Sequence, residues 1–347
     1  MPTMPWNNLV RFGKSLLVAK GVGEEDAEWL ADLAAVSHVF GAPTHGLGVL
    51  GYYHKAIGSR VDASADPIVV RDKGASVLID ANGGLAQFAI RLGKRHAVEG
   101  ARRYGVCMAA IRNAGWCAAL GPYLIDLAEQ GFLAQAWVQH STCADCPPHG
   151  GIDGKFSTNP IGFAFPIPGG VSVSDFSTSS FSMGKVRMMK MAGEKAPEPL
   201  FLSPRGEWSC DPHTMDEGGT MFHAGGPHYG YKGYALSLWC EAMSVLAGGN
   251  ANDPDRPGKQ AINLVVIDPE AFAGEQHFRR EMERFVPHVK DTRLREGYDE
   301  VRLPGENGYH RIARARREGL EVEDWVLDDL RKIAAEAELD AGLLEAR

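Results

Sequence analysis

No apolar run in the 347 residues approaches the ~18 consecutive residues that a membrane span needs. Near the start only Leu16 to Ala19 are consecutively apolar, too few for the core of a secretory leader, so a cytoplasmic protein is expected. A block of basic residues is also missing. The net charge of −8 is spread along the chain, which argues against a nucleic-acid or anionic-membrane surface and leaves a small-molecule partner. Disulfide-type cysteine spacing is absent too: Cys107, Cys117, Cys143, Cys146, Cys210 and Cys240 form no framework and read as free thiols. The chain has no internal repeat and no low-complexity segment. What remains is an ordinary globular composition, 44% hydrophobic, in a chain long enough to bury roughly three quarters of its unfolded surface in two or three domains.

The stretch Ala35 to Tyr53 stands out because it presents His45 where a helix ends and glycines begin. Glu24, Glu25 and Asp26 suit the first turn of the preceding helix, and Ala27, Leu30 and Ala34 repeat at helical spacing until Gly41 and Pro43 stop it. His45 is therefore a candidate proton donor, with Thr44 placed to orient it; a structural histidine satisfied in a loop is the alternative. Gly46 and Gly48 are expected to clear space for a planar ligand. Residues 46–51 also spell G-x-G-x-x-G, but a dinucleotide fingerprint needs a strand before it, and here a helix precedes it.

Farther along, strands and helices alternate: a strand over Ser76 to Asp80, a helix over Leu85 to Tyr104, a strand over Val106 to Ile111, a helix over Ala118 to Gln130 and a strand over Phe132 to Val138. This pattern predicts an α/β layer with functional residues in the loops after strands, residues 113–120 among them. Residues 140–160 are rich in turn formers. His140, Cys143, Cys146 and His149 recur every three residues, but four ligands crowded into ten residues are a poor zinc set, and no metal is expected. Paired strands are expected over Ile161 to Pro166 and Val171 to Asp175, with Asp175 to Ser179 entering a helix that they cap or equip to hold ribose and phosphate, two compatible roles. Residues 192–230 read as irregular. Lys232 opens an apolar helix, where a cation is disfavoured unless an anion sits beside it. Ala261 to Asp268 reads as a buried strand, Val301 to Glu306 as a strand running into a turn, and Val322, Val326, Leu330, Ile333 and Ala337 as the apolar stripe of a closing helix.

Taken in order, Thr44-His45-Gly46, Asp80 to Gln87, Arg112-Asn113, Pro148-His149-Gly150-Gly151, Thr158-Asn159-Pro160, Asp175 to Ser179, Tyr231-Lys232-Gly233 with Glu241, and Pro304-Gly305-Glu306 resemble the malate/L-lactate dehydrogenase family. Cys117 to Leu120 and Ser141-Thr142-Cys143 look most like its branch of Δ1-piperideine-2-carboxylate and Δ1-pyrroline-2-carboxylate reductases.

The resemblance implies an α/β fold of the sulfolactate dehydrogenase type, a non-Rossmann mixed sheet carrying the cofactor plus a helical domain. It divides the chain into a helical part at 1–72 with the catalytic histidine, a cofactor domain at 73–255, and a part at 256–347 packing with the N-terminal segment. It implies a homodimer and a nicotinamide cofactor, NADPH or NADH, with the branch favouring NADPH. His45 would be the proton donor, with Thr44 in place of the family's usual serine, and Thr158 would lie by the substrate. The cofactor would touch Trp116, Cys117, Ala118, Ala119 and Leu120. It would also touch Asp175, Phe176, Ser177 and Thr178, continuing through Ser179, Ser180 and Phe181. Tyr231 and Lys232 complete that surface together with Gly305, Glu306 and Asn307. Pro43 and Val49 stand where the family usually has Asp and a carboxylate-binding Arg, and Trp116 stands where it usually has a second His. Val49 and Trp116 are accordingly expected to shape a substrate site suited to a cyclic imine carboxylate or related 2-oxo compound. A malate- or lactate-type 2-hydroxy acid dehydrogenase and a non-catalytic nucleotide-binding homologue are the alternatives.

Overall fold

In the computed structural model, which describes residues 1–253, 255 and 258–345, the chain opens with strand β1 (Thr3–Met4) and helices α1 (Trp6–Ala19), α2 (Glu24–Val39) and α3 (Val49–Ala56). None of the three can bury its apolar stripe alone. They do so against one another and against the chain's end, α10 (Glu306–Glu318), β12 (Leu320–Glu321) and α11 (Asp324–Glu336), around a core containing Leu9, Phe12, Leu30, Leu50, Val326 and Leu330. Each such side chain contributes about 1.5–3 kcal/mol on leaving water. β1 and β12 pair antiparallel and staple the two ends together.

The middle of the chain supplies β2 (Ile68–Asp72), β3 (Ser76–Asp80), α4 (Ala86–Tyr104), β4 (Val106–Ala114), α5 (Gly121–Glu129), β5 (Leu133–Gln139), β6 (Pro160–Ile167) and β7 (Gly170–Ser177). These strands and β11 (Gln260–Ile267) form a seven-stranded sheet in the order β2-β3-β4-β11-β5-β6-β7. Only β3 and β4 run parallel, joined by α4; every other neighbouring pair is antiparallel. The sheet is therefore mixed, and not of Rossmann type. The small side chains Ala89, Ala97 and Ala101 let α4 lie close on the sheet, and Leu124 and Leu127 of α5 pack beside them. A third layer holds α6 (Met183–Ala192), the short strands β8 (Phe201–Leu202), β9 (Trp208–Ser209) and β10 (Thr220–Met221), and α7 (Gly226–Tyr229) leading into α8 (Tyr231–Leu246). Helix α9 (Glu275–Lys290) follows β11 and buries only Val286.

Three expectations change. β7 runs on to Ser177, and the next helix starts only after Ser182, whose Oγ accepts from the Lys185 amide at 3.1 Å. Residues 301–303 form no strand; the Leu303 amide bonds Glu306 Oε2 at 2.9 Å, closing a turn into α10. Residues 192–230, expected to be irregular, contain β8 to β10 and α7. The expected division at 255/256 falls partly on residue 256, which lies outside the described residues; β11, just beyond it, is the central strand of the sheet, whereas α10 and α11 do pack on the N-terminal helices.

Candidate active site

Helix α2 ends at Val39, and the turn that follows is wound by amide bonds from His45 and Gly46 to the Ala42 carbonyl and from Gly48 to that of Pro43. Its glycines also serve the backbone, and Gly48 lines the cleft as well. A Cβ on Gly46 would lie 2.5 Å from His38 Cα, and one on Gly48 2.7 Å from the Pro43 carbonyl oxygen, so Gly46 serves the close return of the chain over α2 and Gly48 the tightness of the turn itself. The G-x-G-x-x-G string runs from this turn into α3.

That return sets His45 in the wall of a cleft of about 890 Å³ between the helical layer and the sheet. Its Nδ1 lies 2.9 Å from Thr44 Oγ1, which leaves Nε2 for a ligand. The ring meets Trp116 edge-on at 5.1 Å, and Trp116 meets Tyr52 in the same manner at 5.1 Å. Burial lowers the pKa of His45, so the imidazole is neutral near neutral pH. Gly184, in the first turn of α6, closes over the pair: a Cβ there would stand 2.2 Å from Thr44 Oγ1 and 3.3 Å from His45 Cε1.

The loop after β4 is pinned from several sides. The Trp116 amide faces Tyr52 Oη at 3.4 Å, Gln87 Nε2 donates to the Trp116 carbonyl at 3.1 Å, and the Cys117 amide donates to Gln260 Oε1 at 2.8 Å. Ala118 is held at φ +60, a conformation that costs a non-glycine residue energy and is kept by such surroundings. On the opposite wall, Thr158 is fixed through its neighbour Asn159. The buried carboxylate of Glu241 accepts from Asn159 Nδ2 (2.9 Å), Gln139 Nε2 (3.0 Å) and the Asn252 amide (2.8 Å), tying α8 and the 140–160 loop to the sheet.

The structure thus brings Thr44, His45, Trp116, Cys117, Ala118 and Thr158 to one cleft. It does not bring Val49 there. Val49 is 1% exposed and packs in the helical core, while Gly48, Gly51, Tyr52 and Lys55 form the face of α3 that lines the cleft. Ala119 and Leu120 are buried at the start of α5. Asp175 caps that same helix, its Oδ2 accepting from the Leu120 and Gly121 amides at 2.7 and 2.8 Å, so of the two compatible roles the capping one is realised, on α5 rather than on the helix that follows Asp175. Phe176 is exposed beside Phe163. Backbone carbonyls occupy the hydroxyls of Ser177, Thr178, Ser179 and Ser180, and Phe181 stacks on Phe201.

Two further patches meet β7 and the residue after it, at Val173 and Thr178. At one, Pro304 accepts from the Val173 amide, Gly305 is left-handed at φ +74, Glu306 is engaged by Lys290 and Asn307 lies against Arg302. At the other, Tyr231 and Lys232 are exposed at the start of α8; Lys232 Nζ lies over the rings of Tyr229 (5.6 Å) and Tyr231 (5.9 Å) and has no carboxylate partner among the described residues. No side chain caps this helix start, and its Gly233 amide is bonded to the Ala224 carbonyl at 3.2 Å.

The sequence reading missed Lys55, Arg60, Asp145, Ser157, Arg187 and Lys259, all of which line the cleft. Lys55, Arg60, Arg187 and Lys259 lie outside the motifs, Asp145 and Ser157 sit within or beside motifs read for other residues, and only the fold gathers them. Burial lowers the pKa of His140, whose Nδ1 meets Thr142 Oγ1 at 2.8 Å, and pushes the Asp145 carboxyl up to about 6. Of the four spaced His and Cys residues, His140 and Cys143 stay together, Nδ1 and Sγ 3.6 Å apart, whereas Cys146 is fully buried in the third layer's core and the His149 ring lies against Tyr231. Among the described residues no group of three or more His, Cys, Asp or Glu is arranged to hold a metal ion.

The family described as malate/L-lactate dehydrogenase matches over residues 4–331. A Δ1-pyrroline-2-carboxylate/Δ1-piperideine-2-carboxylate reductase of Pseudomonas syringae pv. tomato is 32% identical over 343 residues, 96% of each chain. An L-lactate dehydrogenase of Cupriavidus necator is 31% identical over 307 residues, 85% of this chain and 87% of that one. The solved sulfolactate dehydrogenase of Methanocaldococcus jannaschii superposes with a TM-score of 0.85 at 27% identity, covering 98% of both chains.

Proposed function

Because this chain belongs to the malate/L-lactate dehydrogenase family and is an NAD(P)-dependent oxidoreductase, we propose that it reduces a cyclic imine carboxylate of the Δ1-piperideine- or Δ1-pyrroline-2-carboxylate kind. The nicotinamide cofactor supplies the hydride, and NADPH is the form the resemblance favours. Ala118 to Leu120, Lys232 and the turn at Gly305 to Asn307 would hold it.

The observation that carries this reading is a neutral, buried His45 that meets the Trp116 ring edge-on, with Tyr52 beside Trp116 in the same cleft. An imine nitrogen is basic and shares its proton with His45, so a histidine held below its ordinary range still serves as the acid while C2 takes the hydride. A 2-oxo acid, a far weaker base, needs the imidazolium that burial disfavours. The aromatic wall suits a flat ring. Lys55, Arg60, Arg187 and Lys259 supply positive charge for the substrate carboxylate, in place of an arginine at position 49.

The same neutral His45 supports a second reading, oxidation of a 2-hydroxy acid with the imidazole taking the hydroxyl proton, as in the malate and lactate dehydrogenases that this chain resembles. We further propose a homodimer: Leu238, Trp239, Val245 and Leu246 leave an apolar face of α8 more than half exposed, the kind of patch that a partner covers.

Replacing His45 with Asn tests the role at the centre of both readings. It is expected to lower kcat ~10²-fold or more while the Kd for reduced cofactor, followed by fluorescence, stays within a factor of about two. Turnover near that of the wild type would remove His45 from the chemistry.

A further inference from the structure

The 140–158 wall of the cleft carries a feature that the proposed chemistry does not use. Residues 146 and 156 form an antiparallel bridge, with the Cys146 and Asp145 amides both on the Phe156 carbonyl at 2.9 Å and the Met221 amide on that of Asp145 at 2.9 Å. Asp145 and Ser157 thus stand on either strand beside this bridge, and both line the cleft, Ser157 directly before Thr158. The Asp145 carboxyl has no hydrogen bond or ion pair among the described residues, although its backbone is fixed on both sides. The other acid of the cleft, Asp329, is 3.7 Å from Lys332 and 3.9 Å from Arg187.

The cations of the cleft stand elsewhere. Lys55 is on α3, Arg60 follows α3, Arg187 is on α6 and Lys259 precedes β11, while the wall around Asp145 contributes His140, which burial keeps neutral, and the thiol of Cys143. The cleft is thus negative on one wall and positive on the others. Such a field suits a zwitterion and opposes a second carboxylate.

We propose that Asp145 determines specificity by receiving the positively charged ring nitrogen of a cyclic imino or amino acid, and turns away dianionic oxo and hydroxy acids. The protonated imine has one N–H, which His45 takes, and there Asp145 acts through its charge; hydride transfer to C2 leaves a neutral secondary amine, which takes a proton from solvent to become the ammonium, whose two N–H groups meet both. The unrelieved burial of this carboxylate, which raises its pKa, is what a bound cation offsets. The identity of the substrate rests on the cyclic-imine reading, but the charge preference is measured separately by binding.

The test titrates wild type, Asp145→Asn and Asp145→Glu, each saturated with oxidised cofactor, with piperidine-2-carboxylate and with L-malate. The expected result is that Asn shifts the ratio of the two affinities at least ~10-fold toward malate, about 1.4 kcal/mol, and that Glu restores most of it. The cofactor's Kd stays unchanged in both variants. A ratio that moves less than about threefold, or an equal loss for both ligands, overturns the role of Asp145. Should the wild type fail to reduce Δ1-piperideine-2-carboxylate while the ratio still shifts, the substrate reading falls and the role of Asp145 stands.

Discussion

Burial acts on His45, His140 and His223 in one direction: each is held below the ordinary histidine range by the loss of water around its ring. His223 is 3% exposed between the rings of Phe156 and Tyr234; the Thr178 and Pro147 backbones lie near its nitrogens, but neither reaches good hydrogen-bonding geometry. In the unfolded chain these rings take up protons as the pH falls through about 6.5. The folded protein resists, so the unfolded state binds more protons there and stability drops on acidification. Asp145 has the opposite sign, since its raised pKa lets the folded state hold a proton longer between about 4 and 6. His223→Phe keeps the aromatic packing and removes two unsatisfied nitrogens, so it should stabilise the protein by about 1 kcal/mol at neutral pH and by more in acid. Melting temperatures between about pH 7 and pH 5 check this, and an unchanged acid slope would contradict it. At this scale the sequence was legible where a residue type had one use. Thr44, His45, Trp116 and Thr158 reach the cleft as expected from motif and resemblance. Val49 does not, because the phase of α3 was not resolved: its first turn points residue 49 inward and Gly48 outward. An arginine at 49 would bury an unpaired guanidinium, so Val49→Arg reports on stability and cannot test specificity.

Elements place those residues, and α6 does so most tightly. Its first turn is capped by Ser182 and brings Gly184 against Thr44 and His45. Gly184 is helical and free of positive φ, so Ala suits the backbone and improves helix propensity; only the space beside Thr44 Oγ1 is lacking. Gly184→Ala should therefore lower kcat at least ~10-fold by turning the Thr44–His45 pair while the melting temperature changes little. Retention of full activity would show that this contact does not fix the imidazole. Strands of the sheet were legible because apolar runs bounded by Gly and Asn have few other uses, and Gly105 marked the end of α4. The edge strand β2 is exposed at every position and gives no alternation to read, and α9 buries a single residue. Asp175 shows a different limit. Its local sequence indicates a cap, but the helix it caps lies 54 residues upstream, and only the β6–β7 register brings them together.

The whole molecule is a mixed sheet whose central strand arrives late in the chain, set against a helical layer built from both ends, with the cleft along the seam. Strand order of this kind is non-local and was not legible in the sequence, since periodicity gives elements and not their neighbours; the family resemblance supplied only that the sheet is mixed and not of Rossmann type. The exposed face of α8 carries the whole-molecule expectation: sedimentation should give twice the 37.6 kDa chain mass, and Trp239→Glu should give monomers. A monomeric wild type would contradict the dimer. The central claim is the cyclic imine substrate, and the direct measurement is kcat/KM with reduced cofactor for Δ1-piperideine-2-carboxylate beside pyruvate and oxaloacetate. An aromatic cleft with a neutral His45 and an unpaired Asp145 predicts at least ~10-fold preference for the imine over either oxo acid. Faster turnover of pyruvate or oxaloacetate would contradict it.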